Sequence, residues 1–267
     1  MAPDLENARG KQAAATLQKR NSYNLDSLIA AANDPHLQMF DVLIPALAEA
    51  AYNTPNVSKD TRSVAKMLEL WDKNRGINSI PTAVAVTWGE ELIAIARPRL
   101  THQQLSTMTM EEWLLTTTTA AEKVQALDSA LADLSARFGN WQTPWGVVNR
   151  YQRLTGDIVG RFDDTRPSIP VGMTPSVWGS LAAYGSRQYE GTQKRYGYRG
   201  NSFVAVVSFG EKLKARAIVS GGQSGDPRSP HFTDQAKDFC ANQFRDVYFY
   251  RTEVEAAAEK RYNPGEK

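Results

Sequence analysis

The sequence predicts an α+β fold, with a helical front part followed by a strand-and-loop back part. Three observations predict it. Apolar residues recur at helical spacing up to about residue 140. Two Val- and Phe-rich runs follow at 201–219. Between them, 139–200 is dense in Gly, Pro, Trp and Tyr and carries little periodicity. The chain has 267 residues, enough to bury a sizeable core.

Each element has its own signal. Asn24 and Asp26 introduce Leu25, Leu28, Ile29 and Ala32, and Pro35 closes that helix. Phe40, Leu43, Ile44 and Leu47 form a second amphipathic helix, which Pro45 should kink or delay. Ser58 caps a third helix carrying Val64, Met67, Leu68 and Trp71, with its end expected at Gly76. Pro81 sits in the first turn of a fourth helix, which Pro98 stops. Val124, Leu127, Leu131, Leu134 and Phe138 mark the clearest helix, 120–138, with Gly139 just beyond it.

Asn201–Phe209 and Leu213–Val219 read as an antiparallel hairpin. Phe203, Ala205, Val207 and Phe209 share one face, and Val204 and Val206 the other. Apolar residues on both faces predict a strand covered on both sides. A short strand is expected at 247–250. Thr252 and Glu255 match a capping box for a C-terminal helix. The long segment 155–200 reads as irregular. The organisation expected is a helical lobe over 5–138 and a strand-and-loop portion over 139–267.

Composition excludes several classes of function. Thirty-one Lys and Arg against 29 Asp and Glu leave a net charge of +2, with no whole-chain field for nucleic acid. Aromatic and basic residues do interleave over 141–199, but core and loop packing is their expected role. Cys240 is the only cysteine, so neither an internal disulfide nor a Cys-rich metal site can form. No apolar run is long enough to cross a bilayer, and no membrane partner is expected. No export signal is visible. His36, His102 and His231 show no metal-ligand spacing, so no metal is assigned. Asp163 and Asp164 alone do not make an oxygen cage.

The densest polar cluster runs from Gly221 to Gln235 and contains Gln223, Ser224, His231, Asp234 and Gln235. It lacks the spacing of phosphate loops and of the Gly-x-Ser-x-Gly nucleophile elbow. Ser224, His231 and Asp234 have the residue types of a hydrolytic triad. The same side chains also suit a hydrogen-bonded strand-to-helix turn. The structural role is the one taken here, and no residue of this chain is assigned as catalytic.

Five stretches together resemble the penicillin acylase (penicillin amidase) family. They are NWQTPWGVVNRYQRL at 140–154, GNSFVAVVSF at 200–209, GQSGDPRSPHFTDQ at 222–235, NLDSLIAAA at 24–32 and VYFYRTEVE at 247–255. The resemblance implies an N-terminal nucleophile hydrolase with an αββα sandwich, of which this chain is the C-terminal part of the large subunit. It implies a precursor that cuts itself into small and large subunits. The first residue of the large subunit then attacks an acyl amide, with its own α-amine as base. Substrates of the β-lactam side-chain or acyl-homoserine lactone type are implied, as is a role in antibiotic biosynthesis. The implied partners are the upstream part of the large subunit and the small subunit. Calcium, where the intact enzyme holds it, belongs to upstream residues, and no cofactor is expected on this chain. A periplasmic or secreted location is implied for the intact protein. Met1 and Ala2 carry no nucleophile, so the chain alone is expected to be inactive. Arg9 is expected near the rim of the substrate site. The alternative is a non-catalytic structural or binding module derived from an acylase subunit.

Overall fold

A computed structural model describes residues 5–263 and residue 265. The expectations for Met1 and Ala2 fall outside the described residues. Helices come first: α1 (Ala8–Leu17), α2 (Leu25–Ala32), α3 (Met39–Asn53), α4 (Lys59–Leu70), α5 (Ile80–Ala96), α6 (His102–Thr107), α7 (Met110–Thr117), α8 (Ala120–Phe138) and the short α9 (Trp145–Val148). Strands follow: β1 (Asn149–Tyr151), β2 (Ile169–Pro170), β3 (Tyr184–Gln188), β4 (Arg195–Gly200), β5 (Phe203–Ser208) and β6 (Lys214–Val219). Then come α10 (Ala236–Ala241), β7 (Arg245–Val247) and α11 (Arg251–Ala256). The fold is α+β.

Local chemistry sets the helix starts. Asn24 Oδ1 accepts from Ser27 N at 2.8 Å and Ser58 Oγ from Thr61 N at 3.0 Å. Ser79 Oγ accepts from Thr82 N at 3.1 Å, and Thr119 and Glu122 form a capping box at α8. Gly139, at φ +79°, ends α8.

Three helix expectations are corrected. Pro45 lies inside α3, so the start of the helix is not delayed past it. The ring removes one amide donor, but Phe40, Leu43, Ile44 and Leu47 on the buried face hold the helix to its neighbours. The helix capped by Ser58 ends at Leu70, well before Gly76. Trp71 turns extended, and its indole N–H donates to Asn74 O at 3.2 Å. The C-terminal helix starts one residue early, at Arg251. Glu253 Oε2 accepts from Tyr250 N, whereas Glu255 pairs with Arg251 at 2.9 Å, so the Thr252–Glu255 capping box does not form.

α3, α4, α5, α7 and α8 share one core, with Phe40, Leu47, Trp88, Leu92 and Leu134 fully buried. Trp178 reaches this core from the back part of the chain, stacking on Phe40 with ring centroids 5.0 Å apart. The Trp145 indole donates to Met173 O at 3.1 Å. Asn149 Nδ2 donates to Val171 O and Met173 O at 2.8 and 2.9 Å. The Arg195 guanidinium grips Glu90 on α5 through two 2.6 Å bonds. The aromatic cluster therefore pins the strands to the helices: Trp145, Trp178 and Tyr196 are all fully buried.

The stretch read as irregular, 155–200, holds three strands that join β1 in a four-stranded sheet, order β2-β1-β4-β3. These strands are short and built from Gly, Arg and Tyr, and a register shift at Gly185/Ser186 interrupts alternation. The second sheet has order β5-β6-β7, all antiparallel. Its last strand begins at Arg245 and ends at Val247, earlier than the expected 247–250. A small core of Val171, Met173, Tyr184, Ile218 and Phe239 joins residues of both sheets and α10. Coverage of β5 on both faces is not found. Val206 is buried on the inner face, beside α2, but Phe203, Ala205 and Val207 lie open on the other.

Candidate functional site

The polar loop 221–235 forms because two backbone bonds close it. Gln235 N donates to Gly221 O at 2.8 Å and Ser224 N to His231 O at 3.0 Å. Gly222 lies so close to His231 O and the Asp234 carboxylate that a Cβ would overlap both. Arg153 fastens the loop from outside. Its guanidinium donates to Phe232 O at 2.7 Å and covers the Phe232 ring at 4.0 Å.

The loop's side chains then sort themselves. Ser224 Oγ accepts from Asp226 N at 3.1 Å, and Asp226 in turn binds Arg228. His231 Nδ1 and Asp234 Oδ2 are 2.9 Å apart on an exposed turn. His231 N meets Ser229 Oγ at 3.2 Å. Gln223 is exposed, and Gln235 buries an Oε1 that has no partner. His231 and Asp234 therefore come together as their spacing suggests. Ser224 meets His231 only through backbone, and among the described residues no hydroxyl is bonded to the His231 ring. An imidazole–carboxylate pair without a nucleophile at its other nitrogen can order a turn, but it does not activate a hydroxyl.

Other reactive side chains are held in structural bonds. His36 Nε2 faces Asp41 Oδ2 at 2.7 Å, while His102 opens α6 at the surface. Asp163 Oδ1 accepts from Thr165 N at 2.8 Å. Asp164 accepts from Gln193 N and from the Tyr196 hydroxyl, at 2.5 and 2.7 Å. Burial pushes the Asp164 carboxyl up, but these hydrogen bonds outweigh it and hold the group below its usual range. Among the described residues, no group of three or more His, Cys, Asp or Glu could hold a metal. Burial pushes the Cys240 thiol up to about 12, leaving it a poor nucleophile. Arg9 donates to Leu181 O at 2.7 Å, which ties α1 to the back part of the chain.

Sequence reasoning missed a wide concavity among the described residues. β1 and β4 run parallel for two residue pairs, Asn149 with Arg195 and Arg150 with Tyr196, and then split. The Tyr184 hydroxyl plugs the fork. It accepts from Gly197 N at 3.0 Å and donates to Arg150 O at 2.9 Å. Its ring occupies the space a Cβ on Gly197 would need. Beyond this plug lies a cleft of about 720 Å³, between residues 151–162 and the ends of β3 and β4. Tyr151 lies in its wall, and burial pushes that phenol up to about 12. Arg153, Arg161, Arg187 and Arg199 line the cleft but are scattered along the sequence, so no local motif signals them.

This α+β arrangement is the fold of a penicillin acylase. A thermostable penicillin G acylase from Alcaligenes faecalis matches 96% of this chain with a TM-score of 0.51 at 14% identity. The acyl-homoserine lactone acylase PvdQ of Pseudomonas putida is 31% identical over 103 residues, 38% of this chain. The chain spans 13% of that acylase and 52% of the penicillin G acylase chain. The family model for penicillin amidase matches residues 3–256, and the chain belongs to the penicillin amidase family.

Proposed function

We propose that this chain is the C-terminal segment of the large subunit of an acylase-like amidohydrolase. The intact protein hydrolyses a linear acyl amide of the β-lactam side-chain or acyl-homoserine lactone type. The observation that carries this reading is the open face of β5. Its sequence is patterned for burial on both sides, yet Phe203 is 64% exposed, and Phe209 just beyond the strand 86%. Fully burying a Phe side chain is worth about 1.5–3 kcal/mol. A second sheet or segment laid on this face has ample driving force, as a sandwich requires. The upstream part of the large subunit and the small subunit are its natural covers. On this reading the nucleophile lies in those parts, and in keeping with it no hydroxyl among the described residues is bonded to the His231 ring. Calcium, where the enzyme uses it, lies there too. The acylase family favours a periplasmic or secreted home, and among the described residues no helix is long and apolar enough to cross a membrane.

The test is hydrolysis of an acyl 4-nitroanilide. The 267-residue chain alone is expected to give no turnover above background, while the chain produced with the rest of its precursor hydrolyses it. Turnover by the chain alone, abolished by Ser224→Ala, would overturn this reading and move the chemistry into the 221–235 loop.

One observation favours a second reading, a non-catalytic module. The helical core is closed by its own side chains, with Trp88, Leu92 and Leu134 fully buried. A sharp, monomeric thermal transition of the chain alone, with no partner that covers β5, would support the module over the segment.

A further inference from the structure

The cleft beyond the Tyr184 plug is rich in cations. Arg161, Arg187 and Arg199 line it, and among the described residues none of the three has a carboxylate or hydrogen-bond partner. Four arginines elsewhere are held by carboxylates: Arg195 by Glu90, Arg137 by Asp133, Arg216 by Asp26 and Asp246, Arg228 by Asp226. Asp157 is the only acid in the lining. The charge imbalance is thus local, in a chain whose overall charge is close to zero.

Two of the guanidiniums also lie over aromatic rings. Arg187 lies 5.3 Å from the centre of the Tyr198 ring and Arg199 5.1 Å from it, so both meet one ring. Arg187 also covers Tyr189 at 4.8 Å. Stacking against aromatic faces occupies the guanidinium plane and leaves its in-plane N–H groups free to donate. That geometry suits carboxylate and phosphoryl oxygens, which a guanidinium binds through two parallel bonds. A volume of about 720 Å³ falls within the range of small-molecule sites.

We propose that this cleft binds a small polyanion bearing two or more carboxylate or phosphoryl groups, held by Arg161, Arg187 and Arg199. Tyr151, Tyr184, Tyr189 and Tyr198 also line the space and offer ring surface beside these cations. The site is independent of the hydrolytic reading above, since none of its residues is assigned to that reaction.

Titration calorimetry of the full chain at low ionic strength tests it, with pyrophosphate and citrate as separate probes. Saturable binding that weakens steeply with added salt is expected for at least one probe. Preference for pyrophosphate assigns phosphoryl chemistry, and preference for citrate assigns carboxylate chemistry. The double variant Arg187→Gln/Arg199→Gln should weaken binding at least tenfold while keeping the wild-type thermal transition. Arg228→Gln, an exposed arginine paired outside the cleft, should bind as wild type. Absence of saturable binding by either probe would overturn the proposal. Equal binding by the folded double variant would overturn it too.

Discussion

The helical lobe and the β5-β6-β7 sheet solve the same problem in opposite ways. In the lobe, α5 is apolar nearly all round and is covered nearly all round. Its buried Trp88 and Leu92 share the core where α5 packs on α8, α7, α9 and α4, and Trp178 arrives from the far part of the chain to lie against Gly89. In the sheet, β5 is just as apolar, but only its inner face finds cover. The inner side is held by Val206 and by Arg216, which reaches Asp26 and Asp246. On the other face Phe203 and Phe209 stay largely exposed and Val207 partly so. A helix that is hydrophobic all round must sit inside a core. A strand that is hydrophobic on both faces makes the same demand, and this chain leaves it half met.

This contrast can be broken in order of expected effect. Trp178→Ala removes a fully buried ring from the lobe and should cost about 3–5 kcal/mol in urea unfolding. A loss below 1 kcal/mol would mean that the back part of the chain does not brace the helices. Tyr184→Phe should cost about 1–2 kcal/mol, because the hydroxyl bridges Gly197 N and Arg150 O and its loss strands both at the fork. An unchanged midpoint would show that water replaces the bridge without penalty. Phe209→Ser should shift stability by no more than about 0.5 kcal/mol, because the ring is already in water. It should also reduce self-association in light scattering, and a large loss of stability would show the face to be covered within the chain.

What was legible follows from how local each signal is. Asn24 and Ser58 cap helices through bonds to residues three positions on, so a single sequence displays them. The β5–β6 hairpin was legible through its β-branched runs. β1 to β4 were not, because their residues are chosen by distant contacts: Gly197 by the Tyr184 ring, Arg195 by Glu90, Asn149 by the carbonyls of Val171 and Met173. In the polar loop, the pairing of His231 with Asp234 could be anticipated from their three-residue spacing. The orientation of Ser224 could not, because it depends on Asp226 and on the closure of the whole loop. The arginine cleft was invisible for the same reason as the first sheet: its members come from β3, β4 and the loop after β1.

Hydrogen exchange across β5 tests the central claim most directly. With the chain alone, amides at 203–208 should exchange much faster than those of α5 and α8. In the presence of the proposed upstream and small-subunit parts, the same β5 amides should slow sharply while α5 and α8 stay unchanged. Equal protection of β5 with and without those parts would contradict the proposal that they cover the open face.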